Sequence, residues 1–308
     1  MPAEYPRIAV LLAAYNGMLW IEEQITSILS QAGVDVTVFI SVDPSSDDTE
    51  SWCKNYAVRH SQVVVLPMVG SFGGASGNFF RLIRDVPLDS YDFVAFADQD
   101  DIWFQNKLSR AVSAIQIHQV DAYSSNVTAF WPDGRHHLLN KAQPQVSWDY
   151  VFEAAGPGCT YVMSRTLAAD FKESISTNWR YLQGITLHDW YCYAFARRNG
   201  YRWFIDPEPS MSYRQHENNQ VGANKGLRSL IARYKIIHDG WWFKQVQLIC
   251  RLLGLESDPF ISSWLNLRRS ELLRLSFSAW KCRRRVRDKF FFFCICWLTA
   301  LNGGGKQE

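Results

Sequence analysis

The chain has 308 residues, 47% hydrophobic and 20% charged, with a formal net charge of +2. The apolar fraction excludes a disordered chain, and the near-balanced charge gives no basis for nucleic-acid binding. Seven cysteines, scattered and odd in number without a CxxC pair, fit reduced thiols in a cytoplasm better than a disulfide framework or a zinc site.

The N-terminus, MPAEYPRIAVLLAAYNG, lacks a basic n-region and reads as a first strand, not a signal peptide. Residues 8–14, IAVLLAA, form a continuous apolar run without alternation, as a parallel strand covered on both faces requires. The run stops at the turn cluster Tyr15, Asn16 and Gly17. A helix carrying Ile21, Ile25, Ile28 and Leu29 follows, with Gly33 placed as its C-terminal cap. Residues 34–42, VDVTVFISV, are rich in β-branched side chains and predict a second strand.

That strand runs into Asp43-Pro44-Ser45-Ser46-Asp47-Asp48-Thr49, and a helix is expected from about Glu50 to His60. Ser46, Asp47 or Asp48 can cap this helix. Asp43 lies at the carboxyl end of a strand in an open α/β sheet, where ligands bind, and can accept a hydrogen bond from a nucleobase N–H. Residues 63–67 predict a short third strand. The stretch Ser71-Phe-Gly-Gly-Ala-Ser-Gly-Asn78 then opens a helix, and its backbone N–H groups can hold an anion such as a diphosphate. It is neither a Walker loop nor GxGxxG, so a plain flexible loop is an equal reading.

Residues 92–97 predict a fourth strand, ending abruptly at Asp98, Gln99, Asp100 and Asp101. Three carboxylates in four residues raise one another's pKa unless a cation compensates them, and this density of hard oxygen ligands suits Mg²⁺ or Mn²⁺. A solvated acidic turn capping the next helix, expected over 103–118, is the structural alternative. The regular β-α alternation predicts an α/β fold with a parallel sheet.

Three ordered matches carry a family resemblance over about residues 7–222: the AxYN turn (Ala13, Ala14, Tyr15, Asn16), a DxSxDxT segment (Asp43, Ser45, Asp47, Thr49), and DxD within Asp98-Gln99-Asp100-Asp101. The chain resembles a family 2 glycosyltransferase of the GT-A fold, a Rossmann-like, mostly parallel sheet with flanking helices. The form DQDDIW, with the later HDWY and YRQHxNN segments, most resembles the bacterial rhamnosyltransferase-like branch. The resemblance implies that Ala13, Tyr15, Asn16 and Asp43 line a nucleotide-sugar site, with Asp43 facing thymine or uracil, and Asn78, which ends the glycine-rich turn, is expected there with them. It places Asp98 on the ribose side and Asp100 on a divalent cation, Mg²⁺ or Mn²⁺, bridging the diphosphate, leaving Asp101 as support.

Farther on, 127–130 and 156–163 read as strands, the second behind a Pro-Gly turn whose glycines shape the backbone. In His188-Asp189-Trp190-Tyr191, Asp189 opens a helix, where a first-turn carboxylate has a helix-dipole role. The resemblance implies more: Asp189 as the general base of an inverting enzyme, taking the acceptor hydroxyl's proton in a single displacement. A strand is expected over 201–205. In the following Tyr213-Arg214-Gln215-His216 segment, the resemblance gives Arg214 to the donor diphosphate and His216 to the metal or a phosphate.

The likeness fades after Asn224, which predicts a catalytic domain over 1–224 and a helical region over 225–308. In the latter, Trp241, Trp242, Trp264, Leu267, Leu272 and Leu275 suggest amphipathic helices. Lys281, Arg283, Arg284, Arg285, Arg287 and Lys289 then precede an apolar run at 290–301 that is too short to span a bilayer. This pattern predicts a membrane-interface segment over 281–301, on the anionic cytoplasmic face of the bacterial inner membrane, against the alternative of a docked terminal helix.

The expected activity is therefore an inverting, metal-dependent glycosyltransferase, most simply moving L-rhamnose from dTDP-L-rhamnose to a lipid-linked or lipopolysaccharide glycan. A UDP-hexose donor is the nearest alternative. A sugar nucleotidyltransferase would want a basic Gly-rich loop where AAYNG stands, and a non-catalytic membrane scaffold would need no coherent carboxylates at strand ends.

Overall fold

A computed structural model of the chain describes residues 5–216 and 240–302. The chain divides into two units, 1–142 with 155–223 and 143–154 with 224–308. The segment 143–154 thus joins the C-terminal unit, although it lies inside the span that the sequence assigns to the catalytic domain.

The first unit begins β1 (Arg7–Ala14), α1 (Ile21–Leu29), β2 (Asp35–Val42), α2 (Thr49–Arg59), β3 (Val63–Val65), α3 (Ala75–Asp85) and β4 (Phe93–Ala97). It continues β5 (Ile102–Trp103), α4 (Lys107–Ile117), β6 (Ala122–Ser125), β7 (Val127–Phe130) and β8 (His136–Leu139). In chain order α5 (Asp149–Phe152) comes next but belongs to the second unit. Then follow β9 (Val162–Ser164), α6 (Arg165–Asn178), α7 (His188–Arg198), β10 (Trp203–Asp206) and β11 (Met211–Arg214).

Seven strands form one sheet in the order β10-β6-β9-β4-β1-β2-β3. Its pairs are parallel except around β9, which runs antiparallel to β4 and β6. Residues 8–14 of β1 are all buried, because helices cover both faces of a central parallel strand. The register sets Ala14 opposite Val42 and Leu12 opposite Ala97, so the chain leaves β1, β2 and β4 at one edge, side by side. Tyr15, Asp43 and Asp98 are the residues that follow.

A second sheet, β5-β11-β7-β8, stands beside that edge. It replaces the start of the helix expected over 103–118. Ile102 and Trp103 pair antiparallel with Ser212 and Met211, and the helix begins only at Lys107. The strand expected over 156–163 is a 3-10 turn, Gly158–Thr160, followed by β9. Gly33 has left-handed φ (74°) but lies beyond Ser30, the residue that closes α1.

The second unit also holds the helices Trp241–Leu252, Pro259–Ser262, Arg269–Ser276, Ala279–Cys282 and Val286–Leu301, and α5 packs against the first and fourth of them. Trp264, Phe292 and Phe152 form its aromatic centre, with Phe152 lying 5.2 Å from Trp264 and 5.1 Å from Phe292 between ring centroids. Two of the six basic residues turn inward. Arg284, 4% exposed, pairs with Asp149 (3.1 Å) and donates to the Ala154 carbonyl, while Arg283 donates to the Phe152 carbonyl. The basic cluster is therefore partly a clamp on 149–154. Among the described residues no helix is long and apolar enough to cross a membrane.

Candidate active site

The turn after β1 is held from two sides. From β2, Ser45 Oγ accepts the Asn16 N–H (3.0 Å), Thr49 Oγ1 accepts the Gly17 N–H (2.8 Å), and Asp47 accepts the Met18 N–H (3.2 Å). Asn16, at φ 49°, returns a bond by accepting the Ser46 N–H (2.7 Å). Asn is among the few residues that tolerate this left-handed backbone. The alternate residues of DxSxDxT are thus largely the scaffold of the AxYN turn. From β4, the Gln99 carboxamide pairs with the Tyr15 backbone, accepting its N–H and donating to its carbonyl, both at 2.8 Å.

Asp43 is buried at the end of β2, accepting the Phe72 N–H at 3.2 Å. Burial raises its carboxyl above the ordinary range, partly opposed by the Phe72 and Gly74 N–H groups and by Arg81. Tyr15 is exposed beside it, and Ala13 lies within β1 opposite Ser41. Asn78 does not join them. It is 2% exposed, and its side-chain amide donates to the Ser41 carbonyl (2.9 Å), anchoring α3 to β2 instead of facing a ligand.

The acidic loop is not a solvated turn. Asp101 is fully buried and accepts the Arg214 N–H at 3.0 Å. Asp100 Oδ2 lies 2.7 Å from His216 Nε2, and the His216 ring stacks on Trp20 at 4.3 Å. These two donors, a carboxylate oxygen and an imidazole nitrogen brought together from separate sheets, fit a divalent cation such as Mg²⁺ or Mn²⁺. Arg214 donates from Nε to the Asp100 carbonyl (2.8 Å) and from its outer nitrogen to Glu23, so its guanidinium shapes the loop from behind.

Burial, then the charges of Asp100 and Asp189, push the Asp98 carboxyl up to about 7. Asp98 and Asp189 therefore lie close enough for their charges to interact, although 91 positions separate them in sequence. Asp189 sits in the first turn of α7. Burial lifts it to about 6, against the opposing pull of the Trp190 N–H (2.7 Å), Lys141 and the Gly158 N–H. Gly158 is glycine for want of room, since a Cβ there would lie 2.7 Å from His188 Nε2 and 3.0 Å from Asp189 Cβ.

Two participants are not evident from the sequence. Cys159 brings its sulfur to the acidic loop, where one ligand atom each from Asp98, Asp101 and Cys159 lie within 4.8 Å of one another. Lys107 is fully buried, its Nζ 3.6 Å from the Trp103 ring centroid, and burial lowers its pKa to about 7 while Cys159 and Asp101 pull it back up. Neither had a local signal: Cys159 reads as strand filler, and Lys107 as an ordinary surface lysine opening a helix.

The model of glycosyltransferase-like family 2 matches residues 6–209. The chain belongs to glycosyltransferase family 2. It is 44% identical over 285 residues to the dTDP-rhamnosyl transferase RfbG of Shigella flexneri, covering 92% of this chain and 98% of that one. It is 23% identical over 167 residues to the Escherichia coli glucosyltransferase WfgD, covering 53% of this chain and 62% of that one. Among solved structures it is similar to Staphylococcus aureus TarS 1-349 in complex with UDP-GlcNAc (TM-score 0.54, 14% identity, 96% of this chain and 90% of that one). It is equally similar to the Pyrobaculum calidifontis mannosyltransferase PcManGT in complex with GDP-Man and Mn²⁺ (TM-score 0.54, 14% identity, 97% and 88%). At such identities these structures establish the GT-A-like fold of this glycosyltransferase.

The glycosyltransferase's sequence-predicted residues thus divide. Tyr15, Asn16, Asp43, Asp98, Asp100, Asp189 and His216 gather at one edge of the large sheet, Arg214 braces the loop, and Asn78 lies in the core. The HxNN segment after His216 and the stretch 221–224 fall outside the described residues.

Proposed function

We propose that the protein is an inverting rhamnosyltransferase that uses dTDP-L-rhamnose and a divalent metal to extend a lipid-linked or lipopolysaccharide glycan. The observation that carries this reading is the register that brings the ends of β1, β2 and β4 side by side, with Asp43 and Asp98 following β2 and β4, and Asp100 and Asp189 close enough to act on the charge of Asp98. The 44% identity to RfbG supports rhamnose over a UDP-hexose.

In this reading Asp43 accepts the thymine N–H, and Asp98 meets the ribose. Asp189 takes the proton of the acceptor hydroxyl as its oxygen bonds the anomeric carbon, and the bond from that carbon to the diphosphate oxygen breaks. The electron pair leaves with dTDP, and inversion of the β-linked donor gives an α-L-rhamnoside. A metal held by Asp100 and His216 would act as a Lewis acid toward the departing diphosphate. Calorimetry of dTDP and UDP, with and without Mn²⁺, tests the reading on wild-type protein and Asp100→Ala. Metal-dependent preference for dTDP that is lost in the variant is expected. A preference for UDP moves the donor to a hexose, and binding of neither overturns the reading.

The second unit supports peripheral attachment to the cytoplasmic face of the inner membrane. Val286, Phe290, Trp297 and Leu301 recur on one side of the helix Val286–Leu301 and are exposed, as are Phe277 and Trp280. Arg285 and Arg287 remain exposed beside them, so the stripe pairs apolar area with positive charge, as an anionic interface requires. Phe290→Asp with Leu301→Asp should abolish co-sedimentation with phosphatidylglycerol vesicles while sparing nucleotide binding. Unchanged sedimentation would refute this placement.

A further inference from the structure

Hydrogen-bonded pairing between β1 and β4 ends with Leu12 opposite Ala97. Past that point the two chains diverge, one into the Tyr15–Gly17 turn and the other into the acidic loop. Gln99 bridges the gap with a side chain. Its Oε1 accepts the Tyr15 N–H and its Nε2 donates to the Tyr15 carbonyl, both at 2.8 Å, the two bonds that a paired strand residue would supply. The space is shaped for it. A Cβ on Gly17 would fall 2.3 Å from Gln99 Oε1 and 2.8 Å from its Cδ.

The geometry points to Gln99 as a positioning residue that fixes the nucleotide-side turn against the metal-side loop, so that one nucleoside diphosphate can engage both. The inference rests on the nucleotide-sugar reading above and deepens it. Gln99 need not touch ligand. Its neighbours Asp98 and Asp100 would meet the ribose and the metal, while Tyr15 and Asn16 lie on the other side of the same nucleotide. The turn is already gripped from β2 by Ser45, Asp47 and Thr49. Gln99 adds the grip from β4.

Only a carboxamide of this length suffices. Glutamate has no N–H for the Tyr15 carbonyl and would add a charge between Asp98 and Asp100. Asparagine is a methylene too short, and alanine supplies neither bond. Because ligand and metal share a diphosphate, the signature of the role is the coupling between them, a reciprocal quantity distinct from the affinity of either alone.

The full chain, titrated with dTDP in the presence and absence of Mn²⁺, gives that coupling as the factor by which metal tightens dTDP. In Gln99→Ala the factor should fall about tenfold, while metal-free dTDP affinity changes less than about threefold. Gly17→Ala should lower it similarly by displacing Gln99, yet add nothing in a Gln99→Ala background. Hydrogen exchange at the Tyr15 amide provides a readout that needs no ligand, with protection expected to drop about tenfold in Gln99→Ala and none lost in the middle of β1. Coupling equal to wild type, independent additive effects of the two substitutions, or unchanged Tyr15 protection would each overturn the assignment. If wild-type protein binds neither nucleotide while Tyr15 protection still falls, the bridge stands and the nucleotide-sugar reading is what fails.

Discussion

The proposed base can be tested through its own titration. Burial lifts the Asp189 carboxyl from 3.8 to about 6, with the Trp190 N–H, Lys141 and the Gly158 N–H limiting the rise. A base works deprotonated, so activity must be lost as pH falls through that value. With an apparent pKa near 6, about 90% of the enzyme carries the ionised base at pH 7 and about 10% at pH 5. The expected result is a kcat/KM for rhamnosyl transfer that drops about tenfold across this interval, with a half-point near 6. A carboxylate at its ordinary value would change by less than about 10% over the same range. Asp189→Asn keeps the shape, removes the base, and should lower kcat by roughly 10²–10⁴ without weakening dTDP binding. The assay is release of dTDP from dTDP-L-rhamnose with a lipid-linked acceptor at saturating metal, after circular dichroism has verified folding at each pH. A flat profile between pH 5 and 7, or an Asn variant within tenfold of wild type, would refute the assignment.

Asp98, raised to about 7 chiefly by burial, binds its proton more tightly in the folded chain than in the unfolded one. Its contribution to stability is therefore full below the unfolded value and lost as pH rises through about 7. Asp98→Asn should consequently raise the metal-free melting temperature at pH 8, by ~2–4 °C for each kcal/mol relieved, and the gain should shrink at pH 5. An equal gain at both pH values would rule out the charge as its source. In the second unit, Arg284→Met removes the ion-pair partner of the buried Asp149 carboxylate and should cost about 3–5 kcal/mol in urea unfolding. Adding Asp149→Leu should recover most of that loss, and failure to recover it would mean that the arginine stabilises through something besides the ion pair.

How far the sequence could be read depended on whether a residue's partner was local. The strands of the large sheet were legible because burial on both faces leaves an uninterrupted apolar run, and the sheet edge was legible because carboxylates break such runs abruptly. In sequence the acidic loop implies either a compensating cation such as Mg²⁺ or Mn²⁺ or a solvated helix-capping turn. The chain also buries Lys107 near the loop, with both Cys159 and Asp101 acting on its charge. Nothing near either position in sequence announces this, since their pairing exists only after β9 has been inserted antiparallel between β4 and β6.

The same distinction explains two misjudged groups. A glycine-rich turn opening a helix suggested that Asn78 faces a ligand, but the residue sits one turn into α3, where the face toward the sheet is buried and the Ser41 carbonyl takes its amide. In sequence the six basic residues before the apolar run 290–301 read as one membrane-facing patch, against the alternative of a docked terminal helix. In the folded chain Arg283 and Arg284 precede the helix Val286–Leu301, and both guanidinium groups turn toward 149–154 while Arg285 and Arg287 stay exposed. Inward-facing arginines found carboxylates at Asp149 and Glu153, more than 130 positions away. Charge pattern alone carries no information about that choice. What selects between surface and clamp is the presence of a distant acidic helix, and that becomes visible only when segment 143–154 is seen to leave the catalytic unit.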